Sequence, residues 1–223
     1  MRRAAAAGAR QRRGPRVGLL GGSFNPAHSG HLHISRLALH RLALDQVWWL
    51  VSPQNPLKPV AGMRSLGERV AVARALATAP RIVVTDLEMR LGTRRTLDTL
   101  RAIRRRFPRH RFVWIMGADN LVQMPRWHRW RAIFAEVPIA VFDRPAHSFT
   151  ALAGPAASVF RHARLRQERA TTLAWRRPPA WTFLWAAVDP ASATAIRSAG
   201  GLDSPAAARK VRGVGQLRQE FGH

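Results

Sequence analysis

A chain of 223 residues with 47% hydrophobic content is long enough for one large domain with a buried core, and too apolar to be wholly disordered. It carries 37 Lys and Arg against 12 Asp and Glu, a formal net charge of +25, so anionic partners are expected, whether nucleic acid or free nucleotides. It has no cysteine, which excludes disulfides, thiolate metal sites and cysteine nucleophiles and fits a cytoplasmic location.

The charge is arginine almost throughout, since Lys58 and Lys210 are the only lysines. Such a bias can follow genome composition, and the arginines are spread along the chain, so charge alone does not choose the partner. No apolar run reaches the roughly 20 residues of a membrane span. Residues 1–15 hold five arginines and no acid, without the apolar stretch of a secretory signal. They read as a disordered basic tail, with a mitochondrial transit peptide as the alternative, and residues 16–223 read as a single domain.

Beyond the tail, short apolar runs alternate with segments of helical period. Strands are predicted at 17–20, 46–51, 81–87, 111–116, 139–142 and 182–188. Helices are predicted at 30–44, 67–78, 96–107, 127–135 and 204–220, the last with Ser204 as cap and Pro205 at its first position. Several strands are almost continuously apolar, as parallel strands covered on both faces are. The alternation implies an α/β fold: a Rossmann-like, doubly wound, mainly parallel sheet with helices on both faces. Ligands of such a sheet bind beyond the carboxyl ends of its strands, where the strand order reverses. Residues 144–181 break the rhythm with four prolines and many arginines, and read as an irregular or helical insertion.

The first predicted strand runs into Gly21-Gly22-Ser23-Phe24-Asn25-Pro26-Ala27-His28-Ser29-Gly30-His31. Glycines after a strand permit a tight turn and close approach of a ligand to the backbone. The helix that follows presents free N–H groups, and His28 and His31 add two side-chain donors suited to phosphate oxygens. Two surface histidines beside an ordinary turn is the plainer alternative for either residue alone. A zinc site is disfavoured because no carboxylate or cysteine lies nearby in sequence.

Four further segments fall at strand ends or helix starts. They are Ser52-Pro53-Gln54-Asn55-Pro56-Leu57-Lys58, Arg95-Thr96-Leu97-Asp98-Thr99-Leu100, Trp114-Ile115-Met116-Gly117-Ala118-Asp119-Asn120-Leu121 with Trp127 and Trp130 after it, and Asp189-Pro190-Ala191-Ser192-Ala193-Thr194-Ala195-Ile196-Arg197. A tryptophan pair three apart is commonly core, and a Ser/Thr-capped helix with an arginine is commonly solvated surface; both alternatives stay open on the residues alone.

Taken in order, these segments resemble the nucleotidylyltransferase superfamily. Gly21–Phe24 with His28-Ser29-Gly30-His31 is similar to its glycine turn and His-x-Gly-His signature, and 192–197 to its Ser-x-Thr-x-x-Arg motif. The three middle segments resemble bacterial nicotinate-nucleotide adenylyltransferases. That resemblance, from about residue 17 to 198, implies adenylyl transfer from ATP to nicotinate mononucleotide, releasing pyrophosphate. It implies His28, His31 and Arg197 as catalytic residues. Gly21, Gly22, Ser23, Phe24, Gly117, Asp119, Ser192 and Thr194 would join them around ATP, and Asn55, Lys58, Thr96, Asp119 and Trp127 would hold the mononucleotide. Mg²⁺ would arrive on ATP and leave on pyrophosphate, with no protein metal site, and nucleic acid would not be a partner. Asn25, Arg95 and Ala191 depart from the family pattern, which has Asp, an aromatic and Ile there. The other readings are an adenylyltransferase for nicotinamide mononucleotide or phosphopantetheine, or a basic nucleic-acid-binding protein without enzymatic activity.

Overall fold

The computed structural model describes residues 14–53, 62–144 and 146–185. Seven strands form one sheet in the order β3-β2-β1-β4-β5-β7-β6. They are β1 (Arg16–Gly22), β2 (Gln46–Val51), β3 (Ile82–Thr85), β4 (Arg111–Gly117), β5 (Ile139–Phe142), β6 (Arg164–Leu165) and β7 (Trp181–Leu184). Every pairing is parallel. The chain leaves β1 toward β2 and β3, then returns to place β4 on the other side of β1. The strand order therefore reverses between β1 and β4, opening a crevice at their carboxyl ends.

The near-continuous apolar strands are explained by burial on both faces. Along β1, Val17 and Leu19 enter one core while Leu20 enters the other; along β4, Phe112, Trp114 and Met116 face the first while Val113 and Ile115 face the second. Helix α1 (Ser29–Arg41) and α2 (Leu66–Leu76) cover the second core. Helix α4 (Thr96–Arg106) covers the first, after the single turn α3 (Leu87–Arg90), together with α5 (Ala118–Gln123) and α6 (Trp130–Glu136). The segment 148–175 adds the short α7 (Ser148–Ala153) and α8 (Pro155–Val159) and two 3₁₀ stretches. It sends Ala151, Ala156 and Ala157 into the first core and Ala170, Leu173 and Ala174 into the second.

Three predicted boundaries shift for local reasons. The strand expected to run to residue 87 stops at Thr85, where Asp86 and Arg90 pair at 2.7 Å across the single turn of α3. The helix expected over 30–44 ends at Arg41, and Ala43 takes a left-handed φ of 50°. The helix expected from residue 127 starts at Trp130, because Arg129 also has a φ of 50° and separates it from the 3₁₀ turn Met124–Arg126. Trp127 therefore lies between two helical elements. The predicted helix 204–220 and most of the tail lie outside the described residues.

Candidate functional site

The carboxyl end of β1 is built for close approach. A Cβ on Gly21 would run into the Trp114 ring of the neighbouring strand, so only glycine fits there. The chain then turns sharply at Phe24, whose φ is +48°. That turn buries the Phe24 ring (1% exposed) against Trp49 at 5.1 Å between centroids and His31 at 4.5 Å. The backbone N–H of His28 donates to His31 Nδ1 at 3.2 Å, and the His31 N–H donates to the His28 carbonyl at 3.0 Å. With Nδ1 accepting, the uncharged His31 ring carries its proton on Nε2 and presents that edge as a donor. The two imidazoles lie 3.9 Å apart between centroids at the start of α1, where helix N–H groups and the positive end of the dipole add to the attraction for an anion.

Behind them, Ser35 Oγ accepts the Trp49 indole N–H at 2.7 Å and donates to the His31 carbonyl at 2.7 Å, tying α1 to β2. Asn25 explains one departure from the family pattern. Its amide donates to the Gly62 carbonyl at 3.0 Å and accepts from the Arg64 N–H at 3.2 Å. A carboxylate there could make only the second of these bonds.

Across the crevice, β4 ends at Gly117 and Asp119 lies in the next turn. A Cβ on Gly117 would come within 2.5 Å of Asp119 Oδ1, so the glycine makes room for that carboxylate. Asp119 Oδ2 accepts from the Arg144 guanidinium at 3.0 Å, and Arg144 follows the end of β5. Asp119 Oδ1 is buried and has no hydrogen-bond partner among the described residues. An acceptor held in this way at the switch point suits a ligand hydroxyl.

Thr96 opens α4 on the same side of the sheet, with extended Arg95 before it. Arg95 and His128 Nε2 lie 3.2 Å apart, which joins the start of α4 to the segment carrying Trp127. Trp130 packs edge-on to Phe134 and Phe160, and like Trp127 it is partly buried against the first core. Glu88 sits beneath this region, 7% exposed, with Oε1 accepting from Thr99 Oγ1 at 3.3 Å. Burial raises its carboxyl above the ordinary value of 4.5, while hydrogen bonds from Ser52 and Thr99 pull the other way.

The structure thus gathers Gly21, Gly22, Ser23, Phe24, His28, His31, Gly117 and Asp119 on the two sides of one crevice, with Thr96 and Trp127 linked nearby. Asn55, Lys58, Ser192, Thr194 and Arg197 lie outside the described residues. Arg144 was missed by sequence reasoning, although its place just past a predicted strand was a usable signal. A second concavity lies at the amino-terminal ends of β1 and β4, lined by Arg101, Arg104, Arg105, Arg109 and Arg111. It is at the wrong end of the sheet for this chemistry, and Arg101 and Arg104 already bond Glu136.

Residues 19–199 match the cytidylyltransferase-like family model. A probable nicotinate-nucleotide adenylyltransferase of Parvibaculum lavamentivorans is 55% identical over 188 residues, covering 84% of this chain and 94% of that protein. Another from Methylorubrum extorquens is 55% identical over 183 residues, covering 82% and 99%. Among solved structures, the Plasmodium falciparum nicotinic acid mononucleotide adenylyltransferase complexed with NaAD matches with a TM-score of 0.62 at 14% identity, covering 82% of this chain and 83% of that one. At that identity the likeness speaks for the fold alone.

Proposed function

We infer the chemistry from one premise: this chain belongs to the nicotinate-nucleotide adenylyltransferases of the cytidylyltransferase-like family. It transfers the adenylyl group of ATP to nicotinate mononucleotide, giving nicotinate adenine dinucleotide and pyrophosphate. The observation that carries this reading is the pairing, across the β1/β4 crevice, of the histidine-bearing glycine turn with the half-satisfied carboxylate of Asp119.

The nucleophile is a 5′-phosphate oxygen of the mononucleotide. A phosphate monoester has a second pKa of about 6, so at neutral pH it is largely deprotonated and needs no general base. That oxygen bonds to the α-phosphorus of ATP. The bond from the α-phosphorus to the oxygen bridging it to the β-phosphorus breaks, and pyrophosphate leaves with that electron pair. What the protein supplies is alignment of two anions and donors placed where charge builds on the transferring phosphoryl and leaving group.

We propose the residue roles from position for the described residues and from the motif resemblance for the others. His28 and His31, at the start of α1, donate to the α- and β-phosphates. Gly21, Gly22, Ser23 and Phe24 let the triphosphate approach the backbone, and Gly117 and Asp119 receive the nucleoside. Ser192, Thr194 and Arg197 take the triphosphate tail, as their motif suggests. Asn55, Lys58 and Thr96 hold the mononucleotide, and Trp127 offers a flat face for its pyridine ring. Mg²⁺ enters as part of the substrate, on the ATP phosphates, and screens their charge. The arginine excess then serves small anionic substrates rather than a nucleic acid. Among the described residues no helix is long and apolar enough to cross a membrane. We propose the cytoplasm as the location of the reaction.

Pyrophosphate release, measured with ATP and in turn nicotinate mononucleotide, nicotinamide mononucleotide and phosphopantetheine, tests the reading. Turnover is expected with the first acceptor. Turnover confined to either of the others would overturn the assignment.

A further inference from the structure

Arg69, on α2, is 2% exposed. Among the described residues the guanidinium has no carboxylate partner and is satisfied by four carbonyl contacts. Nε donates to Arg64 O at 2.9 Å, one terminal nitrogen to both Ser23 O at 2.6 Å and Ser52 O at 2.7 Å, and the other to Pro53 O at 2.9 Å. Burial lowers its pKa from the ordinary arginine value, the cost of holding a cation among neutral acceptors. A buried charge satisfied only by carbonyls costs stability to keep, and a hydrophobic residue would fill the same space without it.

The carbonyls identify what it does. The ladder between β1 and β2 ends with Gly22 opposite Val51 and a last bond from Ser52 N–H to Gly22 O at 2.9 Å. Beyond that point the strands part, toward the phosphate turn on one side and toward residue 53 and onward on the other. Arg69 bridges the gap: its planar fork holds Ser23 O and Ser52 O through a single nitrogen. The capping box of Ser65 and Glu68 fixes the first turn of α2 and hence the origin of the side chain.

We propose that Arg69 is a positioning residue for adenylyl transfer: it sets the distance between the end of β1, which receives the ATP phosphates, and the end of β2, on the mononucleotide side, and so aligns nucleophile with α-phosphorus. This role rests on the proposed reading of the two sides of the crevice. Each substrate binds mainly to one side, while the reaction depends on their relative placement, so the loss falls on the chemical step.

Arg69→Lys keeps the charge but has neither the planar fork nor its reach. Arg69→Met keeps much of the volume and removes the donors. Folding is checked by circular dichroism and melting temperature, and binding by calorimetric titration of a non-hydrolysable ATP analogue and of nicotinate mononucleotide. Steady-state kinetics then separates kcat from KM. Both folded variants are expected to lose about 10²-fold in kcat, the scale of an ångström-level misplacement, while each dissociation constant and KM stays within about threefold. Unchanged kcat in a folded variant would make Arg69 a stability residue only, and a rise confined to one substrate's KM would make it part of one subsite. A lysine variant unable to fold would also overturn the alignment role. Wild-type protein inactive with every mononucleotide would instead overturn the functional reading, and this role with it.

Discussion

His28 and His31 are locked to one another twice, through the His28 N–H to His31 Nδ1 at 3.2 Å and the His31 N–H to the His28 carbonyl at 3.0 Å. The imidazole of His31 is therefore part of the helix cap as well as a donor through Nε2, and a mutation must separate the two roles. His31→Gln could keep an acceptor for the cap, whereas His31→Ala removes both. Removing one oriented donor to a developing oxyanion costs about 10²–10³ in rate. Turnover of His31→Ala is expected to fall by that factor, with loss of the cap adding a drop in stability of about 0.5–2 kcal/mol. Stopped-flow or steady-state pyrophosphate release alongside denaturant melts measures both. Wild-type turnover in a folded His31→Ala protein would remove His31 from the phosphate site.

Gly117 and Asp119 offer a cleaner geometric test. Gly117 has a φ of −82°, which any residue can adopt, so alanine brings no backbone strain. Its Cβ would lie 2.5 Å from Asp119 Oδ1 and must push the carboxylate away or turn it. Because the other oxygen is held by Arg144 at 3.0 Å, the carboxylate cannot move freely. Gly117→Ala is expected to fold normally and lose on the order of tenfold to a hundredfold in kcat/KM for ATP, the scale of an ångström misplacement. Unaltered ATP kinetics would mean that Asp119 is a structural partner of Arg144 alone.

How much of this site was legible beforehand follows from what carries each signal. The strands at β1, β4 and β5 were readable because burial on two faces leaves an apolar run, and the turn after β1 because its glycines and histidines are side-chain facts. Arg69 was not readable. Its partners are the carbonyls of Arg64, Ser23, Ser52 and Pro53, which exist at every residue and leave no mark in a sequence. One arginine among many on a predicted helix carries nothing in the sequence to single it out. The break at Arg129 was hidden for a related reason: its left-handed backbone is imposed by the surrounding fold on a residue with no preference for it.

Glu88 predicts a pH dependence of stability. Its carboxyl is raised by burial, so the folded protein binds that proton more tightly than the unfolded chain. The stability it contributes is fully present below the ordinary glutamate value of 4.5 and is lost as pH rises through the raised folded value. Glutamine keeps an acceptor for Thr99 Oγ1 and cannot ionise. Glu88→Gln should therefore match the wild type near pH 4.5 and melt above it at pH 8. Parallel melting curves for the two proteins across that range would show that Glu88 has no raised carboxyl.

Acceptor choice is the sharpest test of the assignment, because nicotinate and nicotinamide mononucleotides differ only in a carboxylate against a carboxamide. A site that favours the acid needs donors and a positive local field. In the proposed site the N–H groups at the start of α4 would supply the donors, and Arg95, held to His128 at 3.2 Å beside the Trp127 segment, would supply charge where the family pattern has an aromatic. The carboxamide turns an NH₂ toward at least one of those donors and leaves it unpaired, at roughly 1–3 kcal/mol. In a competition assay the acid is therefore expected to win by at least about tenfold, the lower part of that range. Replacing Arg95 with leucine should shrink the ratio by acting on the acid alone. Trp127→Ala should raise KM for both mononucleotides together, since stacking does not distinguish them, and leave KM for ATP within about twofold. An Arg95→Leu protein with the full preference would confine recognition to the α4 backbone. Equal efficiency of the wild type with both acceptors would remove the nicotinate assignment itself.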